Sequence, residues 1–530
     1  MRLAIPLFAL SAALIIAAWA WLGAPVDMPD DALGAGGKIH CVSYAPFRRG
    51  QSPLIATTRI EPFQIEEDLA QLARLTECVR TYSVEFGLDR VAEIAGRHGL
   101  KVMQGLWLSG ETQKNRAEIE AVVALANKYP NVIRSVIVGN EVLLRGEMSA
   151  NNLAATLREV KSRVRVPVTY ADVWEFWVRN RTLADVADFI TIHILPYWED
   201  FPIAAEIAAA HVGSIRRHVV EAFPGKEVMI GEVGWPSAGR MREGALPSLV
   251  NQARVVQEVL AVSRRENFNV NVIEAYDQSW KRALEGTVGG HWGLIDDTRR
   301  ESKFEWGTPV SNHPHWRSYA AGGVVFAAVI FTCGYISRRR NDATAWSAVA
   351  AVATVGGVAI GIALANIPLE SLGVGGWIRS LALGAVALLG PILGAMMIMS
   401  GRHVPAFWQI IGRLRLPKLD NVSAAAGFVL MATSVLAVGT ALGLTFDPRY
   451  KDFPYAPLAG ATVPFLLASF LQPRLTEPRA TAELAAAAVL IVCTGYIILN
   501  EGYANWQSLL LCAGLICLAV TLARVRGAPG

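Results

Sequence analysis

From residue 319 to residue 523 the chain is a succession of apolar runs separated by short polar loops. Backbone in lipid must satisfy its own hydrogen bonds, and long unbroken apolar runs of this kind do so as helices. A crossing needs roughly 20 apolar residues. The runs at 319–337, 343–365, 377–400, 422–444, 455–472, 481–499 and 504–523 meet that length. One further run, LAIPLFALSAALIIAAWAWL at 3–22, follows Arg2. Ala18-Trp19-Ala20 within it resembles a cleavage site, but an uncleaved anchor is the preferred reading, and either way the segment that follows is exported. The expected organisation is an anchor at 1–24, a globular domain at 25–318 and a membrane domain at 319–530.

The basic loops test the orientation. Arg338, Arg339 and Arg340, then Arg402, Arg413, Arg415 and Lys418, then Arg474 and Arg479, and finally Arg524 and Arg526 all fall on one side of an eight-span arrangement. Positive loops stay cytoplasmic, which predicts an inner-membrane protein whose globular domain faces the periplasm, with membrane lipid as a partner. The loops around Glu370 and Glu501 are poor in Lys and Arg; the exception, Arg449 and Lys451, has acids beside it. Glu483 and Arg379 stand near span ends, where snorkelling suffices. Almost no other ionisable side chain lies within a span, which argues against a proton-driven transporter. Pro391 and Pro464 read as kinks.

The hydrophobic fraction is 53% and the charged fraction 18%, against about 25% charged in soluble proteins, and the apolar excess lies in these runs. A net charge of +4 without a basic, aromatic-interleaved stripe gives nucleic-acid binding no support. Four cysteines, Cys333, Cys493, Cys512 and Cys517, sit in apolar runs. Cys41 and Cys78 could meet on neighbouring strands, but two buried thiols is the preferred reading. No metal-ligand spacing is present, and neither a metal nor a cofactor is expected.

In the globular segment short β-branched runs alternate with helical ones. Strands are expected at 38–43, 78–83, 101–107, 133–139, 166–171, 189–195, 227–232 and 270–276, with helices such as 66–76, 114–128, 149–162 and 247–265 between them. Glu118, Ala121, Val122 and Leu125 keep the three-and-four spacing of one helix face. Eight β/α units in this length predict an α/β (β/α)8 TIM barrel followed by an all-α transmembrane domain. In that fold chemistry sits at the C-terminal ends of strands.

Two glutamates stand at such ends: Glu141 closes Val138-Gly139-Asn140-Glu141 after the fourth strand, and Glu232 opens Glu232-Val233-Gly234-Trp235-Pro236 at the end of the seventh. A lone strand-end glutamate is ordinarily solvated or paired with an arginine. Two across one barrel mouth can flank a sugar ring, one protonating the leaving oxygen and the other attacking the anomeric carbon, provided they stand about 5–5.5 Å apart.

The segments VIVGNE and IGEVGWPSAG resemble the two signatures of glycoside hydrolase family 17, the β-1,3-glucanases and glucan transglycosylases, over roughly residues 38–305. The resemblance implies Glu141 as acid/base, Glu232 as nucleophile and Asn140 as a partner of the sugar 2-hydroxyl. Val233 departs from the Thr or Ser common there. The segment IEAYDQSWK, with Glu274, Asp277, Trp280 and Lys281, is similar to the family's last strand. Tyr44, Arg80, Tyr82 and Tyr197 also lie at strand ends. Tyr82 and Tyr197 are expected to position Glu232, and Arg80 either belongs to the site or pairs with a barrel carboxylate. Trp107, Trp174, Trp177, Trp198, Trp235 and Trp292 either line a glucan groove or pack beneath the loops.

The expected substrate is a β-1,3-glucan oligosaccharide or polysaccharide. A scavenging hydrolase gains little from eight spans, whereas an enzyme acting on a chain that emerges from a membrane glucan synthase gains from being held there. The arrangement is similar to the membrane-bound glucan-remodelling proteins of rhizobia and related bacteria, which implies building of periplasmic β-1,3/β-1,6-glucans. Every cytoplasmic loop is short, so polymerisation from an activated sugar is not expected of this chain alone. A degradative β-1,3-glucanase and a glucan-binding export scaffold are the alternatives; the intact glutamate pair speaks against the second.

Overall fold

The structure is a computed structural model that describes residues 3–29, 32–33, 37–412, 420–472 and 477–526. Arg2, Arg413, Arg415, Lys418 and Arg474 of the charge argument lie outside these. The chain divides into two compact units, one of Val26–Ala238 and Gly244–Val310, the other of Met1–Pro25, Gly239–Glu243 and Ser311–Gly530.

The first unit is a closed parallel barrel in strand order β1 (Cys41–Ser43), β2 (Cys78–Arg80), β3 (Lys101–Leu106), β4 (Ile133–Asn140), β5 (Val168–Val173), β6 (Ile190–His193), β7 (Val228–Val233) and β8 (Val270–Val272), with β1 closing on β8. Helices cover the outside. Thr112–Lys128 buries Glu118, Ile119, Val122, Val123 and Ala126; of the face expected from spacing, Glu118 and Val122 are buried while Ala121 and Leu125 are half-buried. Ser149 and Ser248 cap the helices Ala150–Arg163 and Leu249–Glu266, each accepting a backbone N–H two residues into the helix.

The barrel floor holds Cys41, Cys78, Met103, Ile137, Ala171 and Met229. Val42 pairs with Val79, which sets Cys41 opposite Cys78 with both side chains inward, and their Cα atoms are 4.4 Å apart. At that approach the two form a disulfide, not the two buried thiols expected. The register between β1 and β2 decides this, and a single strand does not reveal it.

The second unit is helical. Among the described residues seven helices are long and apolar enough to cross a membrane: Ala4–Leu22, Trp316–Ile336, Ala343–Glu370, Gly373–Ser400, Asn421–Phe446, Thr481–Glu501 and Trp506–Arg524. The remaining expected span forms Tyr455–Leu471, 17 residues, about 25 Å of helix and at the short limit for a crossing. The helix Ala4–Leu22 is packed into this unit: Trp19 is fully buried with its ring stacked 4.8 Å from Tyr319, and Ser11 donates to the Ala350 carbonyl.

Glu483 and Glu501 are both buried in this unit, and the first differs from expectation. Glu483 does not snorkel; it is buried and accepts the Phe407 backbone N–H at 2.5 Å, an orphan donor at the start of the short helix Phe407–Gly412. Glu501 closes its helix and forms a buried ion pair with Arg240, whose guanidinium lies 4.7 Å from the Phe453 ring centre. Asn505 Nδ2 donates to the Met241 carbonyl, and the Met241 N–H donates to Gln507. Residues Gly239–Glu243 are thus tied into the helical unit by side chain and backbone alike.

Candidate active site

Three strand irregularities aim the site. Between β4 and β5 the pairing slips from Ile137↔Thr169 to Asn140↔Ala171, and between β6 and β7 from Ile192↔Ile230 to His193↔Glu232. The β7 and β8 ladder slips at the same level. A bulge re-aims the side chains beside it. Here the extra residue on β7 is Gly231. A Cβ there would come within 2.4 Å of Thr191 Cγ2 and 3.2 Å of His193 Cδ2, so only glycine lets β6 and β7 close around the site. On β4, Gly139 has φ +85° and Glu141 φ +52°. The left-handed backbone at Glu141 is strained for a side chain of that size. It is held by the Glu141 N–H on the Ala171 carbonyl and the Arg145 N–H on the Glu141 carbonyl, each 2.8 Å.

The bulges bring the two glutamates together. One oxygen of Glu141, one of Glu232 and a ring nitrogen of His193 all lie within 4.8 Å of one another. That is close enough to hold a cation in principle, but the Arg80 guanidinium, 3.0 Å from Glu232, already supplies the positive charge. The Glu232 side chain is 5% exposed and that of Glu141 22% exposed.

Glu232 is gripped from β2. Arg80, itself 1% exposed, donates from Nη1 to Glu232 Oε1 and to the Gly231 carbonyl at 2.7 Å, and from Nη2 to Asn140 Oδ1. The Tyr82 oxygen is 2.8 Å from both Glu232 Oε1 and Ser43 Oγ. A carboxylate only accepts, so the phenol proton points to Glu232. Ser43 accepts from Asn271 Nδ2, which also donates to the Gly231 carbonyl. Burial pushes the Glu232 carboxyl up, but the positive charge and hydrogen bonds facing it, those of Arg80 and Tyr82 among them, outweigh it and leave its pKa below the ordinary value. Burial, with Glu232 beside it, raises the Tyr82 phenol well above its usual range, so it remains a donor.

The β8 end adds more charge. Lys281 Nζ is 2.9 Å from Glu274 Oε1. Burial pushes Glu274 up to about 7, with Lys281 opposing and Glu285 and Glu232 adding. Burial works against the Lys281 charge, yet Glu274, Glu285 and Glu232 raise its pKa on balance. Burial also raises Glu285, and Glu141 and Glu232 reinforce it against Lys281.

Of the expected site residues, Glu141, Glu232, Arg80, Tyr82, Asn140, Glu274 and Lys281 are brought together. Others are taken by the core. Tyr44 is buried, its hydroxyl on Asp68. Asp277 is buried between Lys303 and the Gly293 N–H. Trp177 and Trp235 are fully buried, with their indole N–H groups on the Thr191 and Leu246 carbonyls. Tyr197 is buried, ringed by Trp198, Trp235 and Trp292. These side chains are buried in the packing beneath the loops. Trp107, Trp174, Trp198 and Trp280 remain partly exposed; Arg145 covers one face of Trp107 at 4.2 Å and Trp198 stacks on Trp292.

Sequence reading missed His193, Glu285, Ser43 and Asn271. For Glu285 a signal existed, since it stands one helical turn after Lys281. His193 reads only as a polar residue in an apolar strand.

A closed (β/α)8 barrel with paired glutamates at the ends of its fourth and seventh strands defines the enzymatic domain of a glycoside hydrolase. Residues 41–293, a little under half of the chain, match the family model of the BtgE/BtgC glycoside hydrolase domain. Glucan 1,3-beta-glucosidase BGL2 of Candida albicans is 28% identical over 255 residues, which cover 43% of this chain and 82% of that one. The glucan 1,3-beta-glucosidase of Saccharomyces cerevisiae is 24% identical over 253 residues, covering 43% and 80%. Among solved structures, a family 17 beta-1,3-glucanosyltransferase from Rhizomucor miehei is similar at 25% identity and a TM-score of 0.45, covering 50% of this chain and 95% of that one. The glycoside hydrolase resemblance read from the two glutamate segments agrees with the domain match over residues 41–293.

Proposed function

We propose that the chain is a retaining β-1,3-glucan transglycosylase. The observation that carries this is the glutamate pair: one oxygen of each lies within 4.8 Å of the other at the barrel mouth, a closeness that supports the carboxyl separation of about 5–5.5 Å in retaining enzymes over the roughly 6.5–9.5 Å that inversion needs. Glu232, ionised and gripped by Arg80 and Tyr82, attacks the anomeric carbon. The glycosidic C–O bond breaks as Glu141 gives its proton to the leaving oxygen. In the second step a glucan hydroxyl attacks the same carbon, its proton passes to Glu141 and the bond to Glu232 breaks. Arg80 occupies Asn140 Oδ1, which leaves the amide nitrogen as the donor for a sugar 2-hydroxyl.

Transfer to a sugar, forming or branching β-glucan, is favoured by the membrane setting and by the partly exposed Trp174 and Trp198, which offer faces for an acceptor. A held acceptor competes with water through proximity, worth effective molarities of about 10⁵ M when well oriented. With a laminari-oligosaccharide as sole substrate, products longer than the starting material are expected, and β-1,6 linkages among them would indicate branching. Only shorter products at every substrate concentration would establish a hydrolase, the reading that the names of the fungal relatives favour.

The Cys41–Cys78 disulfide suits an oxidising compartment. Together with the basic loops it supports a barrel on the periplasmic side of an inner membrane, with the packed helix Ala4–Leu22 retained as an anchor. Reporter fusions at Asn312 and Asn341 should give opposite signals; equal signals would sink this topology.

A further inference from the structure

His193 touches both glutamates, and its surroundings determine where its proton lies. Its side chain is fully buried at the end of β6. Nδ1 is 2.8 Å from Glu141 Oε1, and Nε2 is 3.3 Å from Arg80 Nη1. A guanidinium has only donors, so Nε2 must offer its lone pair to Arg80. The alternative partner for an Nε2–H, Glu232 Oε1, is 3.6 Å away, beyond hydrogen-bond range. The imidazole therefore carries its hydrogen on Nδ1, pointing at Glu141 Oε1. Were the Glu141 hydroxyl instead to donate to Nδ1, the neutral ring would hold its hydrogen on Nε2, directed at the N–H of Arg80.

We propose that His193 is a positioning residue for the acid/base: by donating to Oε1 it confines the transferable proton of Glu141 to Oε2. This rests on the acid/base reading of Glu141 and deepens it. In the first step the Oε2 proton goes to the leaving oxygen while the Nδ1–H stabilises the new carboxylate. In the second step Oε2 receives the proton of the incoming hydroxyl, and the histidine keeps its own hydrogen throughout. The strained Glu141 backbone and the bulge that sets His193 opposite Glu232 serve the same alignment.

The test uses the full chain in detergent with two donors, a laminari-oligosaccharide, whose leaving group needs protonation, and a dinitrophenyl β-laminaribioside, whose leaving group does not. For His193→Ala, kcat/KM on the oligosaccharide should fall about 10²-fold, the lower range of general-acid contributions, while kcat/KM on the aryl donor, which reports only formation of the glycosyl-enzyme and also a folded barrel, changes little. His193→Asn, whose amide N–H can reach toward Oε1, should recover most of the loss. Equal loss on both donors, or no recovery in His193→Asn, would overturn the proposal in favour of a packing role. Glu141→Ala run alongside separates the two levels: if it lowers kcat/KM on both donors equally, the acid/base reading of Glu141 fails and the proposal with it. If it spares the aryl donor while His193→Ala does not, only the proposal fails.

Discussion

Replacing Glu232 with glutamine is expected to abolish turnover, by about 10⁴-fold or more, because the group that forms the covalent intermediate is lost while the barrel around it is kept. No other substitution in the site should have so large an effect. Glutamine fits the same space and can still accept from Arg80 and Tyr82, so the variant should fold. Mass spectrometry of the wild type, trapped with a slow fluorinated glycosyl donor, should place the label on Glu232. Glu141→Ala is expected to lose about 10²- to 10⁴-fold on oligosaccharides and far less on donors with good leaving groups. Substantial glucan turnover by Glu232→Gln would remove the nucleophile assignment.

Arg80→Ala should come second in size, and it should act on both stability and activity. Arg80 is buried and donates to Glu232, the Gly231 carbonyl and Asn140 while facing His193. Its removal strands a buried carboxylate, at a cost of roughly 3–5 kcal/mol when one partner of a buried pair is deleted. The sign of the pH effect follows from the depressed Glu232 pKa in the intact site. A carboxyl with a lowered folded-state pKa contributes stability above its unfolded value, and this is lost as pH falls through the folded value. Without Arg80 a charge that holds the carboxyl down is lost and the pKa rises, so the acidic limb of the activity profile should move to higher pH. Arg80→Lys restores a charge but not the fork that spans Glu232 and Asn140; it should recover stability more fully than rate. An unchanged melting temperature and an unchanged acidic limb in Arg80→Ala would show that the ion pair has no such role.

Much of the barrel was legible because its signals are local. β-branched runs alternating with amphipathic helices set the eight strands, and each lies within its expected segment or within two residues of it; β1, for example, starts at Cys41 inside the expected 38–43. The two glutamates were legible because the fold places chemistry at strand ends and each followed a glycine there or one residue on. The apolar runs were legible by length alone, and among the described residues seven long helices follow them.

What stayed hidden depends on which strand lies beside which, and at what offset. His193 looks like any polar residue in ITIH until a bulge at Gly231 sets it opposite Glu232. Cys41 and Cys78 are 37 residues apart, and only the register of β1 on β2 joins them. Aromatic residues at strand ends carry no periodicity that separates a sugar platform from a core ring, so Trp177 and Trp235 stood open between the two readings, and only the structure shows both fully buried. Sequence by itself determined the kinds of element, their order and the two carboxylates, since propensity and hydrophobic period act over neighbouring residues. Tertiary structure alone decided the direction of each side chain at the barrel mouth, because bulges, close glycine contacts and buried hydrogen bonds join residues far apart in the chain.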